Sequence, residues 1–329
     1  MTIQMQRATT LAAACITAWA LVACGGGASG NGNAVGASDM NAIPSTGTIG
    51  QGQDNAAPKL TNNTAVDGRV WLNYRRAQIG LPTLTENTMI DQAAQRHSDY
   101  QRVNGITHVE DPAKQGFTGT TLDKRMVAAG YTFHGANAIG EVIAASTSTS
   151  GFYNAEQLIT AIYHRFVIFE PVFKEIGTGA AMGASATAYT YFTADMAANN
   201  GLGQGLARGT VVTWPFSGQT EVTPNFFSDQ EEPDPVDGVN EVGYPISVHA
   251  NMSSTLSVQS FTVHPHGGAN LSVKQIGNQT TNAQGQAVAP TAVAIVPLAP
   301  LAAKTTYDVS FNGTVDGAAV SKSWSFTTK

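Results

Sequence analysis

At 329 residues the chain is long enough for two domains. Only 12% of it is charged, and 34 glycines and 14 prolines give it a loop- and strand-rich, extracellular character rather than a cytosolic helical one. A net charge of −6 leaves no basic footprint for nucleic acid or an anionic membrane surface. The two cysteines are Cys15 and Cys24, which excludes a disulfide framework or a thiolate metal site in everything that follows them.

Residues 1–23 have the build of a signal peptide. Arg7 precedes an apolar run from Leu11 to Ala23 that is too short to span a bilayer stably. The run ends Leu21-Val22-Ala23-Cys24-Gly25, which resembles a bacterial lipobox and makes Cys24 the expected lipidated residue. Gly25 stands where an Asp would signal inner-membrane retention, so the expected location is the outer membrane of a Gram-negative envelope, with the lipid anchor as the membrane contact. Residues 24–62 are Gly, Ser, Asn, Ala and Thr with hardly a large apolar side chain, the composition of a flexible tether.

The first folded domain is expected over 63–200. Asn63 or Thr64 caps a helix reaching Ile79, with Val66, Val70, Trp71 and Tyr74 on one face, and Gly80 stops it. A second helix runs over about 88–103, with Ile90, Ala93, Ala94, His97, Tyr100 and Val103 on its apolar face. Ile106-Thr107-His108 follows as a short extended stretch, Leu122 to Ala129 is a third helix, and Glu141 lies at a loop or strand edge. Leu158, Ile159, Ile162 and Phe166 recur at helical spacing, so a fourth helix carries His164 and ends before Pro171. Gly177 and Gly179 punctuate the start of a strand hairpin over 175–182 and 189–196. Helices flanking an antiparallel sheet predict an α–β–α layered, α+β domain.

The run from His164 to Gly179, His-Arg-x-x-Ile-x-x-Pro-x-Phe-x-Glu-Ile-Gly-x-Gly, resembles the signature of bacterial CAP domains (cysteine-rich secretory, antigen 5 and pathogenesis-related 1 proteins). Leu72 to Leu84 is similar to the first helix of that family, and the likeness covers most of 63–200. It implies the same α–β–α sandwich and a cleft faced by two histidines and two acids. His108 and His164 take the two histidine places, and Glu141 of Gly140-Glu141-Val142 takes the first acidic one. No residue carries over as the second acid; Glu156 is a weak substitute. The expected set is therefore a triad of His108, Glu141 and His164. Two imidazoles and a carboxylate suit zinc with an open fourth position, or general acid–base work. Each histidine read alone is as compatible with a hydrogen-bonded packing role. His97 reads as a helix-face residue beside the core, His134 as loop surface, and Arg165 as a partner of an acid or a helix-end carbonyl.

Residues 201–244 read as a connector, rich in Pro and acids through Gln230-Glu231-Glu232-Pro233-Asp234-Pro235, which rules out regular helix there. The run Gly201-Leu202-Gly203-Gln204-Gly205 lacks the spacing of a dinucleotide loop. Over 245–329 short alternating runs (246–249, 257–263, 270–276, 292–296, 306–311, 320–327) predict an all-β sandwich. The segments around Leu298–Val309 and Trp324–Thr328 resemble bacterial Ig-like domains. His264-Pro265-His266 points its histidines to opposite sides if extended, and reads as surface.

Together these features predict a monomeric, membrane-anchored extracytoplasmic binding module for a lipid, another small apolar ligand or an envelope component. The alternatives are a metal-assisted hydrolase of envelope polymer or peptide that uses His108, Glu141 and His164 with zinc, and a structural adhesin whose site is vestigial.

Overall fold

The computed structural model describes residues 57–183, 188–278, 280–281, 287–288 and 290–329. The expected signal peptide, Cys15, Cys24 and the tether as far as residue 56 lie outside the described residues. The last residues of the expected tether already belong to the fold. The backbone N–H groups of Thr61 and Asn62 donate to the buried Asp67 carboxylate at 2.8 and 3.0 Å.

Among the described residues five α-helices occur, in chain order α1 (Thr64–Gln78), α2 (Thr88–Asn104), α3 (Leu122–Ala128), α4 (Gly151–Thr160) and α5 (Ile162–Ile168). The Asn63 side chain caps α1 by accepting from Val66 N–H, and Asn87 caps α2 in the same way. On α1 the buried stripe runs through Trp71 and Leu72, and Val70 is exposed. The expected fourth helix is two helices. Ala161 is extended (φ −69°, ψ 119°), which breaks the ladder between α4 and α5.

The first sheet is β1 (Thr85–Glu86), β2 (Ala138–Ser146), β3 (Glu175–Met182) and β4 (Thr190–Ala198), in the order β1-β3-β4-β2. Its two faces are set by the strand period of two. Glu141, Asp195 and Gly177 lie in register across β2, β4 and β3 and face α2. A Cβ at Gly177 would stand 2.1 Å from the backbone nitrogen of Asp91, so the glycine is required by how closely α2 lies on the sheet. Gly140, one residue before Glu141, faces the other way, against Val167 of α5 and Phe173. The domain is therefore layered with α2 on one side and α1, α4 and α5 on the other.

The later elements are strands, with one 3-10 turn at Ser228–Gln230. β5 (Val212–Trp214), β6 (Gln219–Val222), β7 (Asn225–Phe227), β8 (Glu241–Gly243), β9 (Ile246–His249), β10 (Leu256–Pro265), β11 (Val273–Gly277), β12 (Thr280–Thr281), β13 (Ala287–Val288), β14 (Ala292–Pro297), β15 (Thr306–Val315) and β16 (Ala318–Thr328) follow in order. Two four-stranded sheets, β10-β15-β16-β6 and β11-β14-β9-β5, enclose a core of Val263, Val293, Ile295, Phe311 and Phe326. The alternation is cleanest on β15, where every second residue is buried.

The expected boundaries at 201–244 and 245–329 need correction. Val212–Trp214 pairs with β9 and Gln219–Val222 pairs with β16, so the Pro-rich connector supplies a strand to each sheet. Strand β14 is buried along its whole length because both its faces are covered. Val293 and Ile295 face the core, whereas Ala292 and Ala294 pack against Ile162 and Phe166 of α5. The two units thus meet through α5. Trp214 lies 5.2 Å from Phe169, ring to ring, and donates its indole N–H to the Tyr244 hydroxyl at 2.8 Å. His249, buried between Phe166 and Phe169, is held neutral: burial and then Arg165 lower its pKa to about 3.

Glu170 is a second group at this junction. Its carboxylate accepts from Met252 N–H at 3.1 Å and Val172 N–H at 3.2 Å, and the charged group facing it is Arg76. Burial, only partly opposed by those N–H groups and Arg76, raises its pKa to about 7. A carboxyl whose pKa is raised by folding favours the fold at low pH. That contribution is lost as pH rises from the ordinary carboxylate range through about 7. Glu170→Gln is therefore expected to flatten the decline of melting temperature over this window and to be at least as stable as the wild type at pH 8. An unchanged pH profile in the variant would contradict this assignment.

Candidate functional site

Glu141 is the centre of the site. It projects from the edge strand β2 toward α2, into a layer where water is excluded and every charge needs a partner. One carboxylate oxygen contacts His108 Nδ1 at 2.8 Å, and the other accepts from Arg125 Nη2 at 2.5 Å, with His97 Nε2 3.8 Å away. Arg125, on α3 and fully buried, also donates to the His108 carbonyl at 2.9 Å, which fixes the loop that carries the histidine. Burial works against ionisation of Glu141, but Arg125 and then His97 outweigh it and hold the carboxyl far below the usual range.

Asp195 stands directly across from Glu141 on β4. It is fully buried, and among the described residues neither oxygen finds an N–H or hydroxyl donor. Burial, then the charge of Glu141, raises its pKa well above the carboxylate range. Two ionised carboxylates could only repel one another here. A protonated Asp195 instead has an O–H to donate to Glu141, which accounts for its apparent lack of partners. The cluster thus comprises one carboxylate, one carboxylic acid and one guanidinium.

His97 belongs to a neighbouring pair. Its Nδ1 contacts Glu110 at 2.8 Å and its Nε2 contacts the Thr107 carbonyl at 2.8 Å. Glu110 also accepts from Thr118 N–H at 2.6 Å and Gly119 N–H at 3.2 Å. Burial opposes its ionisation, but His97 and the N–H groups prevail and lower its pKa. The expected packing role of His97 is thus more specific: it pins the loop before His108.

His164 is not gathered with His108 and Glu141. It sits in the first turn of α5, and its Nδ1 contacts Glu231 of the connector at 2.9 Å. The same carboxylate accepts from the backbone N–H groups of Ile162, Tyr163 and His164 at 2.8, 2.7 and 3.1 Å. Glu231 therefore caps a helix that has no capping side chain of its own, and orients the histidine as it does so. The reason for the separation is strand alternation. Glu141 points to the α2 face of β2, while α5 packs on the face of Gly140.

Each site histidine thus has Nδ1 on a carboxylate, and neither Nε2 has a partner among the described residues. Carboxylates commonly orient metal-binding imidazoles in this way. The expected three-ligand zinc set is nevertheless not formed. Both Glu141 oxygens are taken, one of them by a guanidinium. Among the described residues no group of three or more His, Cys, Asp or Glu is arranged to hold a metal ion. The residues present do not fit that zinc centre.

Glu156, the weak substitute for the second acid, is committed elsewhere. It pairs with Arg75 at 2.9 Å and accepts from Trp71 Nε1 at 2.7 Å. Arg165 donates to the carbonyls of Ile159 at 2.6 Å and Pro245 at 2.7 Å, so the helix-end reading of this residue fits. His134 is exposed, and His266 meets Asp308 at the surface at 2.8 Å. Arg125, Glu110, Asp195 and Glu231 carry as much of the site as the expected triad. None of the four stands in a motif that singles it out.

Residues 71–196 match the profile of the cysteine-rich secretory protein (CAP) family. Among solved structures, the chain is similar to an extracellular protein containing an SCP domain from Bacillus anthracis, at 20% identity and a TM-score of 0.33, over 45% of this chain and 44% of that one. The chain therefore spans less than half the length of that protein. It is also similar to an outer surface protein of Borrelia burgdorferi, at 16% identity and a TM-score of 0.31, over 40% of this chain and 90% of that one. No curated protein matches the chain.

Proposed function

We propose that the protein is an extracellular binding module, held on the cell envelope through a lipid on Cys24, that presents a CAP domain for a small apolar or lipid-like ligand. The observation that carries this reading is how fully the site's acids are committed within the fold. Glu141 is tied to Arg125 and His108, Glu110 to His97 and its loop, and Glu231 to α5. A general base must be free to accept a proton near working pH. Glu141, ion-paired and held far below that range, is poorly suited to the task. The hydrolase reading loses its base and its third metal ligand together. The β unit, with its likeness to Ig-like domains, is then a rigid pedestal fused to the module through α5.

The anchor is supported by the lipobox-like run Leu21-Val22-Ala23-Cys24-Gly25. Cys24→Ala is expected to move the protein from the membrane fraction to the soluble fraction of fractionated cells. Unchanged partitioning of the variant would overturn the anchored reading.

A further inference from the structure

Strands β10 and β11 are outer strands of the two C-terminal sheets, and the slit between them is closed at both ends. Leu271 N–H donates to the Val263 carbonyl at 2.9 Å at one end, and Leu256 N–H to the Pro290 carbonyl at 3.0 Å at the other. In an antiparallel pair only every second residue bonds to its neighbour. Leu298 N–H donates to the Ser272 carbonyl and Asn278 N–H to the Ala292 carbonyl, both at 3.0 Å, which fixes the residues of β11 that bond to β14. The alternate ones, Val273, Gln275 and Gly277, turn their N–H and C=O groups to the open edge, where none has a partner among the described residues. This edge is the floor of a cleft of about 480 Å³, and the two walls of the cleft follow the strand period of two. Gln275 and Gly277 share the core side of the sheet with Ile295 and Val293, and the wall on that side is Val258 and Pro290. Lys274 and Ile276 share the α5 side with Ala294, and the wall there is Tyr163 and Asp234. Burial, then Glu231, Asp237 and Asp234, raise the Tyr163 pKa to about 12. The α5 side is therefore neutral at its hydroxyl and negative in its field, with Lys274 as its one lining cation.

We propose that β11 receives a short extended peptide as an added strand, with apolar side chains on one side and basic ones on the other. The peptide main chain pairs with Val273, Gln275 and Gly277, in the antiparallel sense that gives the stronger ladder. Its side chains opposite those three residues enter the apolar side, between Val258 and Pro290. The intervening ones face Tyr163 and Asp234, where three acids outnumber Lys274 and favour Lys or Arg. The edge is recessed between its walls and admits a single strand, whereas a flat exposed edge would invite another sheet. The tether does not supply that strand, since residues 24–56 contain no Lys or Arg. The site lies in the β unit and is independent of the ligand proposed for the CAP domain.

The test uses the intact chain and the peptide acetyl-Val-Arg-Val-Arg-Val-amide, with isothermal titration calorimetry as the readout. One saturable site is expected. An N-methyl group on the central Val removes a main-chain donor and should weaken binding by about tenfold or more. The isomer acetyl-Val-Val-Val-Arg-Arg-amide keeps the charge, breaks the alternation and should weaken it as much. Gln275→Pro removes the central N–H of the open edge while leaving the bonds to β14 in place, and should weaken binding of the parent peptide to the same extent. Circular dichroism checks the fold of that variant, and the N-methyl peptide decides the point on the wild type alone. Absence of saturable binding to the wild type would overturn the proposal. Equal binding of the isomer or of the N-methyl peptide would reduce the effect to charge attraction and overturn it too. Self-association of the chain that Gln275→Pro abolishes would assign the edge to a second copy instead.

Discussion

Replacing Glu231 by alanine is expected to destabilise the fold by about 3–5 kcal/mol, as removal of one partner of a buried charged network does. The side chain is fully buried and serves four donors: three backbone N–H groups and the His164 ring. Alanine leaves the start of α5 without acceptors in a layer that water does not reach. Because α5 also supplies Ile162 and Phe166 to the outer face of β14, loss of its cap loosens the contact between the two units. Glu231→Gln keeps one acceptor oxygen and should cost less than half as much. Urea unfolding of the two variants against wild type measures both. A cost within about 0.5 kcal/mol for Glu231→Ala, the range of ordinary surface substitutions, would show that the connector does not hold α5.

The second large effect concerns the C-terminal fragment. Residues 245–329 alone are expected not to fold. The fragment lacks β5 and β6, which pair with β9 and β16, and loses the buried Trp214. It also uncovers Ala292 and Ala294 on one side of β14 and leaves β9, buried at every residue, with one free edge. A fragment beginning at residue 201 regains both strands and should be markedly more ordered. Amide spectra of the two fragments decide the matter. Full dispersion from residues 245–329 would restore the boundary that the hydrophobic pattern suggests.

That boundary shows what the sequence could and could not reveal. Alternation marks β15 well, because it puts every second residue into the core of the sandwich, whereas β14 stands out as a continuous apolar run because α5 covers its other face. The short β5 and β6 lie in a segment whose prolines mask them, and their pairing partners are dozens of residues away. The helices were legible from their stripes and caps, Asn63 and Asn87 in particular. The break at Ala161 was not, since the stabilising contact is Glu231 in another segment. Gly177 read as punctuation, but its physical cause is the close approach of α2.

The candidate site divides in the same way. The meeting of His108 and Glu141 followed from a family likeness, and the structure brings the two together. His164 was placed with them on that likeness alone. Strand alternation around Gly140 and Glu141 sets α5 on the other face of the sheet. Arg125 and Asp195 carry no local signal, because a buried charge is recognisable only by what surrounds it. A fully buried carboxyl opposite a carboxylate is visible in the pairing of β2 with β4 and nowhere in the order of residues.

The central claim is that His108 with Glu141, and His164 with Glu231, are two separate pairs rather than one metal centre. It is tested most directly by following the imidazole nitrogens of both residues, by long-range proton–nitrogen correlation, as zinc is added to the intact chain. Two independent pairs predict that the rings do not respond in concert and that Glu231→Gln alters the His164 signals alone. Joint movement of both rings, saturating at one equivalent of zinc and lost from both in either histidine variant, would contradict the account.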